Sequence, residues 1–181
     1  MDNRELVITK STVECYKIRH SSGCYWADIT VDAKDNQGRI QIASDFGDWQ
    51  HYWGSCGRPF KKFLIQLDKQ YLARKFRAED YFDGEATITG IKRDIIKNRR
   101  EGCLTQEVAR AAYGEAVGLE EEGYLTADAF AVAVTHTSHL WGYMDDFPSI
   151  RKTYDPGFDN FWNMIWPIFI NTLKSEIHDT K

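Results

Sequence analysis

The chain changes its hydrophobic period once, at Ser55, and that change limits what it can fold into. Ahead of Ser55, apolar residues recur at every second position. Tyr25, Ala27, Ile29 and Val31 alternate with Trp26, Asp28, Thr30 and Asp32, the mark of a strand with one buried face. Ile40, Ile42, Ser44 and Phe46 resume the alternation after Asp35-Asn36-Gln37-Gly38, a run of turn residues. Val13 to Arg19 precedes a second turn signal, His20-Ser21-Ser22-Gly23, and Trp49, His51 and Trp53 follow Gly47-Asp48. Four short segments joined by tight turns predict an antiparallel meander.

Beyond Ser55 the spacing is helical. Pro59 suits the start of a helix, and Phe60, Phe63, Leu64, Leu67 and Tyr71 then form one wide apolar stripe. Asp83 can cap a segment carrying Ile88, Ile91 and Ile95 that stops near Gly102. Thr105 can cap another, with Val108, Ala112, Ala116 and Leu119 inward, ending at Gly123. Thr126 opens a third, with Leu125 and Phe130 as a hydrophobic staple. Asp155-Pro156 opens a last helix through Ile177, which Pro167 should kink. Strands followed by helices predict a single α+β domain over residues 1–181, strand-rich over 6–54 and helix-rich over 58–178. In it an N-terminal antiparallel meander of about four strands packs against about five C-terminal helices.

Six Trp and ten Phe among 181 residues supply ample apolar area for a core. A net charge of −4 argues against a chain coated throughout with nucleic acid. The N-terminus, MDNRELVITK, has no apolar signal core and no stretch reaches membrane-spanning length, so a cytoplasmic protein is expected. Cys15, Cys24, Cys56 and Cys103 are widely spaced without a CxxC pair, which suits reduced thiols rather than structural zinc.

Neither GxxxxGK, GxGxxG, GxSxG nor a kinase set occurs, so no catalytic residue and no cofactor is assigned. Trp49, His51 and Trp53 share one strand face. They can form a stacking platform with His51 as a polar reader, but aromatic strands more often line a core. Gln50 and His51 are the polar residues at that corner. Cys56 needs a neighbouring base before it can act as a nucleophile. His136 and His139 lie three apart, and with Asp145 they make a candidate two-His, one-carboxylate metal set for a hydrolase. Lys92, Arg93, Lys97, Arg99 and Arg100 form a basic run able to meet phosphates, or else the solvated face of an amphipathic helix. Glu120, Glu121, Glu122, Asp145 and Asp146 offer carboxylates to a basic partner.

The stretch ASDFGDWQHYWGSCGRPFKKFLIQLDKQYLARKF carries Trp53-Gly54, Phe60, Phe63-Leu64, Asp68, Tyr71-Leu72 and Lys75. In this pattern it resembles a family of small bacteriophage and prophage proteins, as does the later run around Phe161-Trp162 and Trp166-Pro167. The resemblance implies an accessory phage product acting in the host cytoplasm. Small accessory phage proteins often bind and disable host machinery, including CRISPR and other defence systems, and the resemblance implies such a role here. It implies no catalytic residues. The expected partner is therefore a host protein complex, met through Glu120, Glu121, Glu122, Asp145, Asp146, His51 and Gln50. A nucleic-acid-binding accessory protein and a metal-dependent hydrolase are the alternatives.

The scattered cysteines generate a first prediction. Thiol titration of the denatured, unreduced protein should find all four reactive. Two reactive thiols would reveal a disulfide.

Overall fold

The alternating segments form one antiparallel sheet of β1 (Glu14–Arg19), β2 (Trp26–Lys34), β3 (Gln37–Ser44) and β4 (Trp49–Trp53), paired in chain order. This is a computed structural model, and it describes residues 7–143 and 149–179. Register puts Ile29 opposite Ile42 and Val31 opposite Ile40, so the apolar residues of neighbouring strands share one face. Ala27, Ile29, Val31, Ile40 and Ile42 are all buried. Lys34 pairs with Gln37, which leaves Asp35 and Asn36 as the turn. Asp35 takes the left-handed conformation such a turn needs. Gln37 and Gly38, expected in the turn, are instead the first residues of β3. Gly38 faces inward, where a Cβ would stand 2.4 Å from the Phe60 ring.

The single helix expected after Pro59 is two, α1 (Phe60–Leu64) and α2 (Lys69–Phe76). Asp68 causes the break. Its backbone is extended and its carboxylate accepts the Tyr71 N–H at 2.7 Å, capping a new helix within an uninterrupted apolar stripe. The last helix is likewise divided, into α7 (Pro156–Met164) and α8 (Trp166–Asp179). Pro167 has no N–H to bond backward, and the helical run is interrupted at Ile165, two residues before it.

These four helices and the sheet form one compact unit, Met1–Ala78 with Asp155–Lys181. Trp49 stacks on Phe76 at 6.1 Å and lies 5.2 Å from Phe161. Trp53 is buried between Phe60 and Phe63, and its indole N–H donates to the Tyr71 hydroxyl at 3.0 Å. The Lys61 ammonium bonds both Glu14 and Glu176, and the Tyr16 hydroxyl donates to the same two carboxylates. Burial opposes the Lys61 charge, but those hydrogen bonds outweigh it and raise its pKa. The cluster ties β1, α1 and α8 together.

Residues Glu79–Tyr154 form a second compact unit. It contains β5 (Tyr81–Phe82), α3 (Gly84–Arg100), α4 (Gln106–Glu122), α5 (Ala127–Thr135), α6 (His139–Tyr143) and β6 (Lys152–Thr153), with β5 and β6 paired antiparallel. Asp83, Thr105 and Thr126 cap α3, α4 and α5 as the sequence predicts. Ile88, Ile91, Ile95, Ala112, Ala116, Leu119, Phe130, Val134 and Leu140 are the core. Ala109, rather than the expected Val108, takes the buried position in the first turns of α4. The expected Leu125–Phe130 staple does not form: Leu125 is 78% exposed, and the Tyr124 ring packs on Phe130 instead.

The helix-rich half therefore divides. α1, α2, α7 and α8 serve the sheet, while α3–α6 close a core of their own. The Asp155 N–H donates to the Ala78 carbonyl at 2.8 Å, which joins the two chain segments of the first unit where the second leaves and returns.

Two substitutions test this packing. Trp53→Ala should cost about 3–5 kcal/mol by removing a buried ring and orphaning the Tyr71 hydroxyl. Gly38→Ala, which adds one methyl, should cost about 1–3 kcal/mol by driving Phe60 out of place. Denaturant melts measure both, and unchanged midpoints would refute the assigned burial.

Candidate functional site

The basic run of α3 becomes a groove. Cations four and three residues apart share a helix face, so Lys92 aligns with Ile96 and Arg100, and Arg93 with Lys97 and Arg100. Along that face α3 meets α4, whose Tyr113 and Glu120 complete the opposite wall. The resulting groove is about 680 Å3, and Thr89 and Glu101 also line it. Ile96 and Tyr113 present exposed apolar surface inside it, 42% and 38% accessible. Lys92 spans the groove, its ammonium 2.5 Å from the Glu120 carboxylate and 5.7 Å from the centre of the Tyr113 ring. Four cations against two carboxylates leave the lining positive, in a chain that is negative as a whole.

Of the five cations the sequence singles out, Lys92, Arg93, Lys97 and Arg100 line this groove and Arg99 does not. Sequence reasoning offers Trp49 as the stacking ring, but Trp49 belongs to the sheet unit and packs on Phe76 and Phe161. The ring in the groove is Tyr113, which that reasoning missed. Its signal was an aromatic one position off the Ala109–Ala112–Ala116–Leu119 stripe, on the polar margin of its helix.

The carboxylates are distributed differently. Glu120 is paired with Lys92, and Glu122 accepts the Tyr124 hydroxyl. Glu121 is exposed at the end of α4. Asp145 and Asp146 lie outside the described residues. Gln50 and His51 belong to the sheet unit and point to opposite faces of β4. Gln50 bonds Gln41 on the open face, while His51 is half-buried with its ring 4.5 Å from Trp53. Burial, then the charge of Lys75, holds the His51 imidazole below its ordinary pKa.

His136 and His139 do not share a continuous helix: His136 is the C-cap of α5 and His139 begins α6. His139 is engaged by Glu115, 3.1 Å from its Nδ1. Among the described residues, no three His, Cys, Asp or Glu groups are placed to hold a metal. Cys56 donates to backbone carbonyls of Asn36 and Arg58, a contact that closes the corner after β4. Cys15, Cys24, Cys56 and Cys103 are free thiols. No helix among the described residues is long and apolar enough to cross a membrane.

A family model described as a phage family, Phage_phiTE_072, matches residues 6–167. No curated protein and no solved structure matches the chain.

Glu115 caps α6 from a neighbouring helix. Its carboxylate accepts the backbone N–H groups of Ser138, His139 and Leu140, the last at 2.7 Å. Burial pushes its pKa up, but these donors and the His139 imidazole together pull it below the ordinary 4.5. A depressed folded pKa stabilises the fold above about pH 4.5, and that stability is lost as pH falls through the folded value. Glu115→Gln should therefore destabilise the protein at about pH 6 and matter progressively less toward about pH 3. Denaturation over that range measures it. A penalty that ignores pH would show that the charge contributes nothing.

Proposed function

The chain belongs to this phage family, and on that footing we propose that it is a phage accessory protein that binds nucleic acid through the α3–α4 groove. The observation that carries the reading is the convergence of Lys92, Arg93, Lys97 and Arg100 on one concavity that also holds Tyr113. Cations on a solvated helix face ordinarily diverge into water. Here a second helix walls them in and adds apolar surface, the combination that phosphate chains with attached bases require. The overall charge of −4 does not oppose this, because binding follows the local field, and the screening length at physiological salt is about 8 Å.

Inhibition of a host defence complex through the acidic residues is the second reading, supported by phage membership and by the exposed Glu121. The groove is preferred because Glu120 and Glu122 already have partners within the fold. The two readings predict opposite effects at one residue. Glu120 competes with phosphate for Lys92, so Glu120→Gln should tighten oligonucleotide binding; a host-binding carboxylate would lose affinity when neutralised.

Salt dependence is the direct test. Fluorescence anisotropy with a labelled oligonucleotide should show binding at about 50 mM salt that weakens steeply toward about 200 mM. Replacing Lys97 and Arg100 by Gln should reduce the slope of log K against log salt by about 1.4, roughly 0.7 for each phosphate left without its cation. Both side chains are exposed, so the melting transition should hardly move. No binding at low salt, or an unchanged slope in the double variant, would refute the groove.

A further inference from the structure

Resting on the nucleic-acid reading above, we infer that the groove takes a single strand rather than a duplex, with a base stacked on the Tyr113 ring. Three observations point the same way. The cations lie in a concavity between α3 and α4. A helix that reads base edges in duplex DNA stands out as a ridge able to enter the major groove, which a row of cations set between two helices does not. The groove's exposed surface is also partly apolar, through Ile96 and Tyr113. Duplex DNA keeps its base faces sealed in the stack and presents phosphate and sugar, which gain nothing from an aliphatic side chain and an aromatic ring. An unpaired strand carries bases whose faces need cover, and an accessible aromatic ring supplies it whatever the base.

The third observation is the position of Lys92. Its ammonium stands 5.7 Å from the Tyr113 ring centre, paired with Glu120. A cation that can exchange this carboxylate for a phosphate thereby stands beside a stacking surface. A nucleotide whose base covers Tyr113 brings its phosphate within reach of Lys92, and the next cations along the row, Arg93, Lys97 and Arg100, continue the path for the backbone. Tyr113 binds through its ring, not its hydroxyl.

Equilibrium titration of the intact protein at low salt tests this with four probes of equal length: a mixed-sequence single strand, its duplex, an abasic strand and a polyglutamate peptide. The base-bearing single strand should bind about tenfold or more tighter than both the duplex and the abasic strand. Tyr113→Ala should erase that advantage, and Tyr113→Phe should keep it to within about twofold. A 2-aminopurine placed in the strand should be quenched on binding to wild type and to Tyr113→Phe, but not to Tyr113→Ala. The abasic comparison uses unaltered protein, so it stands even if Tyr113→Ala folds poorly. Equal binding of duplex or abasic strand would overturn the single-strand assignment while leaving the groove as a phosphate site. Preference for polyglutamate, or no binding to any nucleic acid, would overturn the groove reading itself.

Discussion

The inner face of the four-stranded sheet is apolar along its length, and everything else in the first unit follows from the need to cover it. Ala27, Ile29, Val31, Ile40 and Ile42 stand on that face. The chain covers it from two distant places, first with α1 and α2 directly after β4, then with α7 and α8 from its C-terminal end. The aromatic corner at β4 is where the covers meet the sheet: Trp49 engages Phe76 and Phe161, Trp53 engages Phe60 and Phe63, and Gly38 yields the space Phe60 occupies. Aromatic rings dominate here because each buries a large area at the cost of few rotamers. Residues that look like a ligand platform in one dimension are thereby committed to packing.

In the second unit one helix serves two purposes. α3 points Ile88, Ile91 and Ile95 into the core and carries Lys92, Arg93, Lys97 and Arg100 beside them. Rigid inward packing fixes the outward row, so the cations need no loop to hold them. Lys92 marks the boundary. Among the described residues it is the least exposed of the ion-paired lysines, bound to Glu120 on one side and close to an aromatic ring on the other.

Much of the architecture was legible because period and caps are local. Strand alternation, the Asp83, Thr105 and Thr126 caps and the glycine stop at Gly123 depend on a few adjacent residues. The break at Asp68 was not legible from the stripe, since both halves keep the same apolar phase across it, whereas Pro167 signalled a disturbance of the last helix beside Ile165. Asp68 acts as a cap only because its backbone leaves helical space. The cations of the groove were visible as a run within α3. Tyr113 was not, because it joins them only when α4 folds back along α3, and single-sequence spacing cannot express that return. The division into two units escaped for the same reason: the residues that close the sheet's cover are separated by the whole of Glu79–Tyr154.

That division sets an order on the ribosome. The sheet unit is discontinuous, with Ala78 and Asp155 joined by a backbone hydrogen bond, while the helical unit is an unbroken insert between them. A chain made from its N-terminus completes the insert before α7 and α8 exist. Until those helices emerge, the apolar face of the sheet has α1 and α2 alone to shield it. The segment made first is thus the one finished last, and the nascent chain carries an exposed, aromatic-rich sheet for as long as the insert takes to synthesise. During that interval the apolar face of the sheet is only partly covered, and transiently exposed surface of this kind favours aggregation.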